Sequence, residues 1–263
     1  MTFYDWMTAN EEVLSEGPGL YCPLHIILMV VLAILLVSFY FIFKKYPIFA
    51  KKFIFWICII MIISRIFRMI FRICVGADTF FEAMPWHLCH IMCFVIGFMT
   101  IFNVKKFITP IAVFAFFGGV LTFLFGDYYQ YNVLTFYDIE SIGLHFMLPL
   151  VSIYYLATKQ LKLSYTTILQ TAIFIICLGS YAEIGNTIFK DTNFMYIREN
   201  GLPFKIFPGT HIFTYLFLIA ITFGIALIAL SIKNHYKNKK HIDKKEILST
   251  TLIDEEELMA EKK

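Results

Sequence analysis

Long apolar runs, each bounded by a few polar residues, recur along nearly the whole chain. Seven blocks fall near residues 23–43, 53–74, 85–102, 107–125, 141–157, 166–189 and 210–232. Runs of roughly 17–25 residues match a hydrocarbon core about 30 Å thick. Lipid offers the backbone no hydrogen-bond partners, so each block must close its bonds internally, as a helix. The pattern predicts an all-α, seven-helix transmembrane bundle over residues 23–232. A polar segment, 1–22, precedes it and a charged tail, 233–263, follows. The fifth block is the shortest.

Polar residues between the blocks orient the bundle. Lys44, Lys45, Lys51 and Lys52 fill the first connection, Lys105 and Lys106 the third, Lys159 and Lys162 the fifth. Lys233, Lys237, Lys239 and Lys240 follow the last block. The alternate connections hold Asp78 and Glu82, then Asp127, Asp138 and Glu140, then a mixed stretch, 190–205. The positive-inside rule puts the amino terminus outside and the carboxyl terminus in the cytoplasm, and every connection agrees with an odd number of spans. The expected location is the cell membrane.

Composition fits this class: apolar residues make up 59% of the chain and charged residues 16%, with 30 Phe among 263 residues. Soluble domains carry closer to about 25% charge. The net charge of +3 does not indicate a nucleic-acid partner, because the lysines serve topology. Residues 1–19 carry Asp5, Glu11, Glu12 and Glu16 and lack the basic start of a cleavable signal peptide. The six cysteines form no zinc-ribbon spacing, and a Cys22–Cys74 disulfide at the outer face is one option for two of them. The tail alternates Lys with acidic residues and reads as solvated, beside anionic lipid.

Against this apolar background a few polar side chains stand out. Only four of the 22 basic residues are Arg, and Arg65, Arg68 and Arg72 follow the i, i+3, i+7 spacing of one helix face. Arg65 lies roughly 15 Å below the outer end of its span. Placing Arg near a helix centre costs about 2.5–3.5 kcal/mol even on the lenient scale, so a partner, cavity or ligand is required. Snorkelling to the interface is one solution, and an ion pair with Glu183 is another. A bound phosphate, which suits the guanidinium fork, is the functional one.

Five of the seven histidines (His25, His87, His90, His145 and His211) sit at block edges predicted to share the outer face. In Met84-Pro85-Trp86-His87-Leu88-Cys89-His90, Pro85 is expected to open the third helix, with Cys89 about one turn in. There the helix dipole and adjacent imidazoles can lower a thiol pKa and make a nucleophile. The bland alternative makes Cys89 and Cys93 packing residues and the histidines interfacial anchors. Several imidazoles also raise a zinc site, but no His-x-x-x-His or His-Glu-x-x-His pair is present, so no metal ligands are assigned. No cofactor is called for. Tyr181, Glu183 and Asn186, with Asn193 in the long last outer loop, can line or cap a cavity, or serve as ordinary loop polars. Gly118-Gly119 is expected to let helices approach closely.

These residues resemble the YwaF-type bacterial membrane proteins and their eukaryotic relatives, the transmembrane protein 164 group. The resemblance runs from His25 through most of the membrane portion. It rests on the Pro-x-His-Leu-Cys-His segment, His145, and the Asp-Thr-Asn-Phe-Met-Tyr stretch before a Pro. It implies a multi-pass acyltransferase acting on phospholipid acyl chains, with a catalytic Cys–His pair that maps to Cys89 and His145.

The expected chemistry is acyl transfer between phospholipids or lysolipids in a pocket facing the outer leaflet. Cys89 would be the nucleophile and His145, or His90, the base. Arg65, Arg68 and Arg72 would hold phosphate, with His87, Glu183 and Asn193 in substrate contact. Two rivals stand beside it. One is a non-enzymatic transporter or lipid-binding subunit using the Arg/Glu cluster, although no internal repeat favours transport. The other is a metal-dependent membrane hydrolase.

Overall fold

The computed structural model of the chain describes residues 6–7, 15–125, 131–162, 164–189 and 194. Its described residues form six α-helices and no strand beyond one isolated bridge, Glu16 to Tyr131. They are α1 (Pro23–Lys45), α2 (Pro47–Cys74), α3 (Leu88–Ile101), α4 (Ile108–Phe125), α5 (Phe136–Ala157) and α6 (Tyr165–Ile188). All except α3 are long and apolar enough to cross a membrane. With 14 residues α3 reaches only about 21 Å at ~1.5 Å per residue. The block at 210–232 and the charged tail lie outside the described residues.

Three boundaries differ from the periodicity reading, each for a local reason. Helix α2 begins at Pro47, six residues early, because Pro at the first helical position has a preset φ and no N–H to leave unpaired. Lys51 and Lys52 are therefore helical, and the first connection is Tyr46 alone. Helix α3 begins at Leu88 with His87 as its extended N-cap, so Pro85 lies outside it and Cys89 is its second residue. The Trp86 ring stacks on Tyr181 at 4.8 Å, and its indole N–H donates to the Phe81 carbonyl at 2.7 Å. Those contacts fix the chain in a turn just before the helix. Helix α5 begins at Phe136 because Thr135 and Asp138 form a capping box. Glu140, expected in a loop, is thereby helical.

Helix α5 is the centre of the bundle and touches α1, α2, α3 and α4, while α6 packs along α4. At the end where α1 meets α2 the core is aromatic and dry. Phe39 stacks on Phe53 at 5.5 Å, and Phe43 meets Tyr154 edge-on at 6.2 Å. Near the middle, Gly119 of α4 lies against α5. A Cβ there would stand 2.5 Å from the His145 carbonyl oxygen and would strike Pro149. Pro149 has no N–H to return to that carbonyl four residues back, and the missing side chain at 119 lets α4 close over the gap. The glycine pair thus serves packing, as expected.

At the opposite end, Trp6 lies against the approach to α5. The Trp6 indole donates to the Leu134 carbonyl at 2.9 Å, and its ring meets Phe136. All six cysteines are free; Cys22 is buried and Cys74 exposed, so the disulfide option is not realised.

A buried Arg–Glu–His cluster as the candidate functional site

Helical spacing does place Arg65, Arg68 and Arg72 on one face of α2, but their fates differ with depth. Gly76, at φ 73°, turns the chain just after α2 and brings Asp78 back beneath Arg72. Arg72 forks onto that carboxylate, with Nη2 2.6 Å from Oδ1 and Nε on Oδ2. In the same loop, the Thr79 backbone N–H donates to Glu82 at 2.7 Å and holds its carboxyl below the usual range.

The two deeper arginines meet helix α5. Arg68 is paired with Glu140, and its guanidinium lies 3.1 Å above the centre of the Tyr137 ring. Tyr137 and Glu140 are three residues apart and so share a helix face, which lets one turn of α5 supply both contacts. Arg72 also faces the Tyr137 ring, at 5.3 Å. Arg65 stands 3.8 Å from Glu140 and donates from Nη2 to His90 Nδ1 at 2.9 Å. The carboxylate that answers the deep arginines is thus Glu140, not Glu183.

These bonds fix the histidine tautomers. A guanidinium only donates, so His90 Nδ1 must accept; it carries no proton there, and His90 is neutral. His145 Nδ1 lies 2.7 Å from the Ser141 carbonyl, which only accepts, so this nitrogen carries the proton. His145 Nε2 has no hydrogen-bond partner among the described residues. The Ser141 hydroxyl lies 3.2 Å from Nδ1 and steadies the ring. His87 meets His90 edge-on at 5.5 Å. His90, His145, His87 and both deep guanidiniums are within electrostatic reach of one another.

Cys89 enters from the first turn of α3, half-buried, with Arg65 and Arg68 within Coulombic range and the His90 backbone N–H beside it. Cys93 donates its thiol to the Cys89 carbonyl at 2.9 Å, a helix back-bond consistent with a packing role.

The cluster is buried and incompletely bonded. Arg65, Arg68, Glu140 and His145 are 5%, 6%, 7% and 4% exposed. Yet Arg65 Nε and Nη1, Arg68 Nε, Glu140 Oε1 and His145 Nε2 have no hydrogen-bond partner among the described residues. Native interiors hold few such atoms, because each forgoes its water without compensation. Five in one place single this cluster out as the candidate site.

The other expected residues divide. His25 is a structural histidine: Nδ1 accepts from the Tyr21 N–H at 3.1 Å, and Nε2 reaches the Phe123 carbonyl at 2.9 Å. Asn186, fully buried, clamps the Phe194 backbone through its N–H at 2.6 Å and its carbonyl at 3.3 Å. The Phe194 ring then lies against Trp86 and His87. Gly185 makes room for this stack, since a Cβ there would stand 2.6 Å from the Trp86 ring. Glu183 is half-buried on α6. Asn193 and His211 lie outside the described residues. Among those residues, no group of three or more His, Cys, Asp or Glu is arranged to hold a metal ion.

Glu140, Tyr137, Ser141 and Asp78 belong to the cluster but were not expected there. The Thr135-x-x-Asp138 pattern was the available signal: read as a capping box, it starts α5 early enough to put Tyr137, Glu140 and Ser141 on the helix.

The family model of the TMEM164 family matches residues 20–239. No curated protein and no solved structure matches the chain.

Proposed function

The chain belongs to the TMEM164 family of membrane proteins, and on that premise we propose that it is an integral membrane acyltransferase. It transfers a fatty acyl chain between phospholipids or lysolipids through Cys89 and His145. The observation that carries this reading is the His145 ring. Its Nδ1 proton is committed to the Ser141 carbonyl, so Nε2 is a buried base with no partner among the described residues. An imidazole oriented this way is what a general base requires.

In the first step His145 Nε2 takes the Cys89 thiol proton, and the sulfur attacks the ester carbonyl of the acyl donor. The ester C–O bond breaks, a thioester forms, and the departing alkoxide takes the proton back from Nε2. In the second step an acceptor hydroxyl gives its proton to Nε2 and attacks the thioester. The C–S bond breaks, and the proton returns to Cys89. Arg65 and Arg68 hold the lipid phosphate. His90, whose Nδ1 accepts from Arg65, orients that guanidinium instead of serving as base. Arg72, already committed to Asp78, anchors the rim. His87, Glu183 and Asn193 complete the substrate contacts.

The reading includes a seventh span at 210–232, an outside amino terminus and a site open to the outer leaflet of the cell membrane. The lysine distribution supports that orientation.

The test is transacylation by purified protein in defined lipid, with intact-mass detection of an acyl group on Cys89. Cys89→Ser and His145→Ala should abolish or cripple transfer. Full activity in both variants removes the mechanism.

A further inference from the structure

We infer that Glu140 sets the charge of the buried site to a single positive unit, and so makes it a receptor for one singly charged oxyanion. The inference rests on the reading of Arg65 and Arg68 as headgroup ligands and adds what selects the headgroup.

With His145 in the neutral form its role as base requires, and His87 neutral beside it, the remaining charges are countable from the bonds. Arg65 and Arg68 contribute two positive charges, and Glu140 removes one. His90 is neutral because its Nδ1 accepts from Arg65. Arg72 is balanced by Asp78 and does not enter. One positive charge therefore remains in a buried helical interior, where an unpaired ion is far more costly than in water.

Bonding capacity tells the same story. Arg65 Nε and Arg68 Nε have no partner among the described residues, Arg65 Nη1 makes only the 3.8 Å ion pair with Glu140, and both side chains are more than nine-tenths buried. Donors of this type await acceptor oxygens carrying charge. A phosphodiester or a carboxylate brings one negative charge and leaves the pocket neutral. A phosphomonoester in its dianionic form brings two and sets one against the Glu140 carboxylate. Glu140 is thus a specificity-determining residue as well as a structural counter-ion. It costs the site one unit of attraction and excludes the more highly charged ligand.

Binding is best measured on the full-length protein in the Cys89→Ser background, so that neither a thiolate nor acyl transfer contributes. Failure of the acyl-transfer proposal would leave this measurement intact, and the reverse also holds. At pH 8, native mass spectrometry of protein equilibrated with equimolar phosphatidylglycerol and phosphatidic acid reports the ratio retained. The expected result is a preference for phosphatidylglycerol that Glu140→Gln shifts toward phosphatidic acid by at least tenfold. Glu140→Asp, which keeps the charge, should hold the original ratio. Arg65→Gln should weaken retention of both lipids at least tenfold, a result that does not depend on the Gln variant at 140 folding. Parallel arms with dimethyl phosphate and with oleate identify the source of the charge. Competition by either one, lost in Arg65→Gln, supports the single-charge site and names its chemistry. A ratio unchanged by Glu140→Gln, a shifted ratio in Glu140→Asp, or retention indifferent to Arg65→Gln overturns it.

Discussion

The two ends of this bundle solve the same problem in opposite ways. Where α1 meets α2, side chains from three helices fill the space with rings, and the few polar groups close their bonds locally. Thr100 donates to the Ile96 carbonyl at 2.7 Å and meets the Tyr155 hydroxyl at 2.9 Å; Ser152 donates to the Leu148 carbonyl at 3.0 Å. At the other end, α2, α3 and α5 bury two guanidiniums, a carboxylate and imidazoles, and leave five polar atoms without a hydrogen-bond partner among the described residues. The first end is finished by folding. The second is left incomplete, and that incompleteness distinguishes a site from a core.

The sharpest break is chemical. His145→Ala should lower transacylation by about 10²- to 10⁴-fold, the usual worth of a positioned general base. His90→Asn, whose side-chain oxygen can still accept from Arg65, should keep most of the rate. Comparable losses in both variants, in a steady-state assay on folded protein, would undo the tautomer assignment.

Phe43→Ala at the opposite end should cost about 3–5 kcal/mol of stability through the cavity it leaves. The transacylation rate of the surviving folded protein should not change. Thermal unfolding in detergent, read beside activity, separates the two effects.

Gly119→Ala lies between the extremes and should affect both. The added Cβ would press on the His145 carbonyl and Pro149, an overpacking cost of about 1–3 kcal/mol, and it displaces the base. Gly179→Ala is the control, since nothing lies within 4 Å of a Cβ there. If Gly119→Ala leaves both the thermal midpoint and the rate at wild-type values, close approach of α4 to His145 is not required.

The smallest effect is expected at Arg72. Its pair with Asp78 is part-exposed, and such pairs contribute about 0–1 kcal/mol. Arg72→Ala should therefore barely move the thermal midpoint, and should reduce transfer far less than Arg65→Gln. Equal losses would return Arg72 to the anion site.

The sequence alone determined the class of this protein and where its polar chemistry lies. Apolar run length is a one-dimensional property, and a membrane makes it decisive, so six helices were readable as blocks; their lengths were not, since the fifth block, expected to be the shortest, is the 22-residue α5 and the third is the 14-residue α3. The i, i+3, i+7 spacing likewise put three arginines on one face, and the first turn of a helix put Cys89 near them. Tertiary structure decided the partners. Glu140 is 72 residues from Arg68, and no local pattern links them. Their meeting depends on α5 sitting at the centre and on a capping box that extends it by one turn. Tertiary structure also separated histidines that the chain presents alike. His25 is consumed by backbone groups at both nitrogens, His90 is held by Arg65, and His145 has its Nδ1 fixed on Ser141 and no partner at Nε2 among the described residues. An imidazole's role follows from what each ring nitrogen touches, and contacts between distant helices are written only when the chain folds.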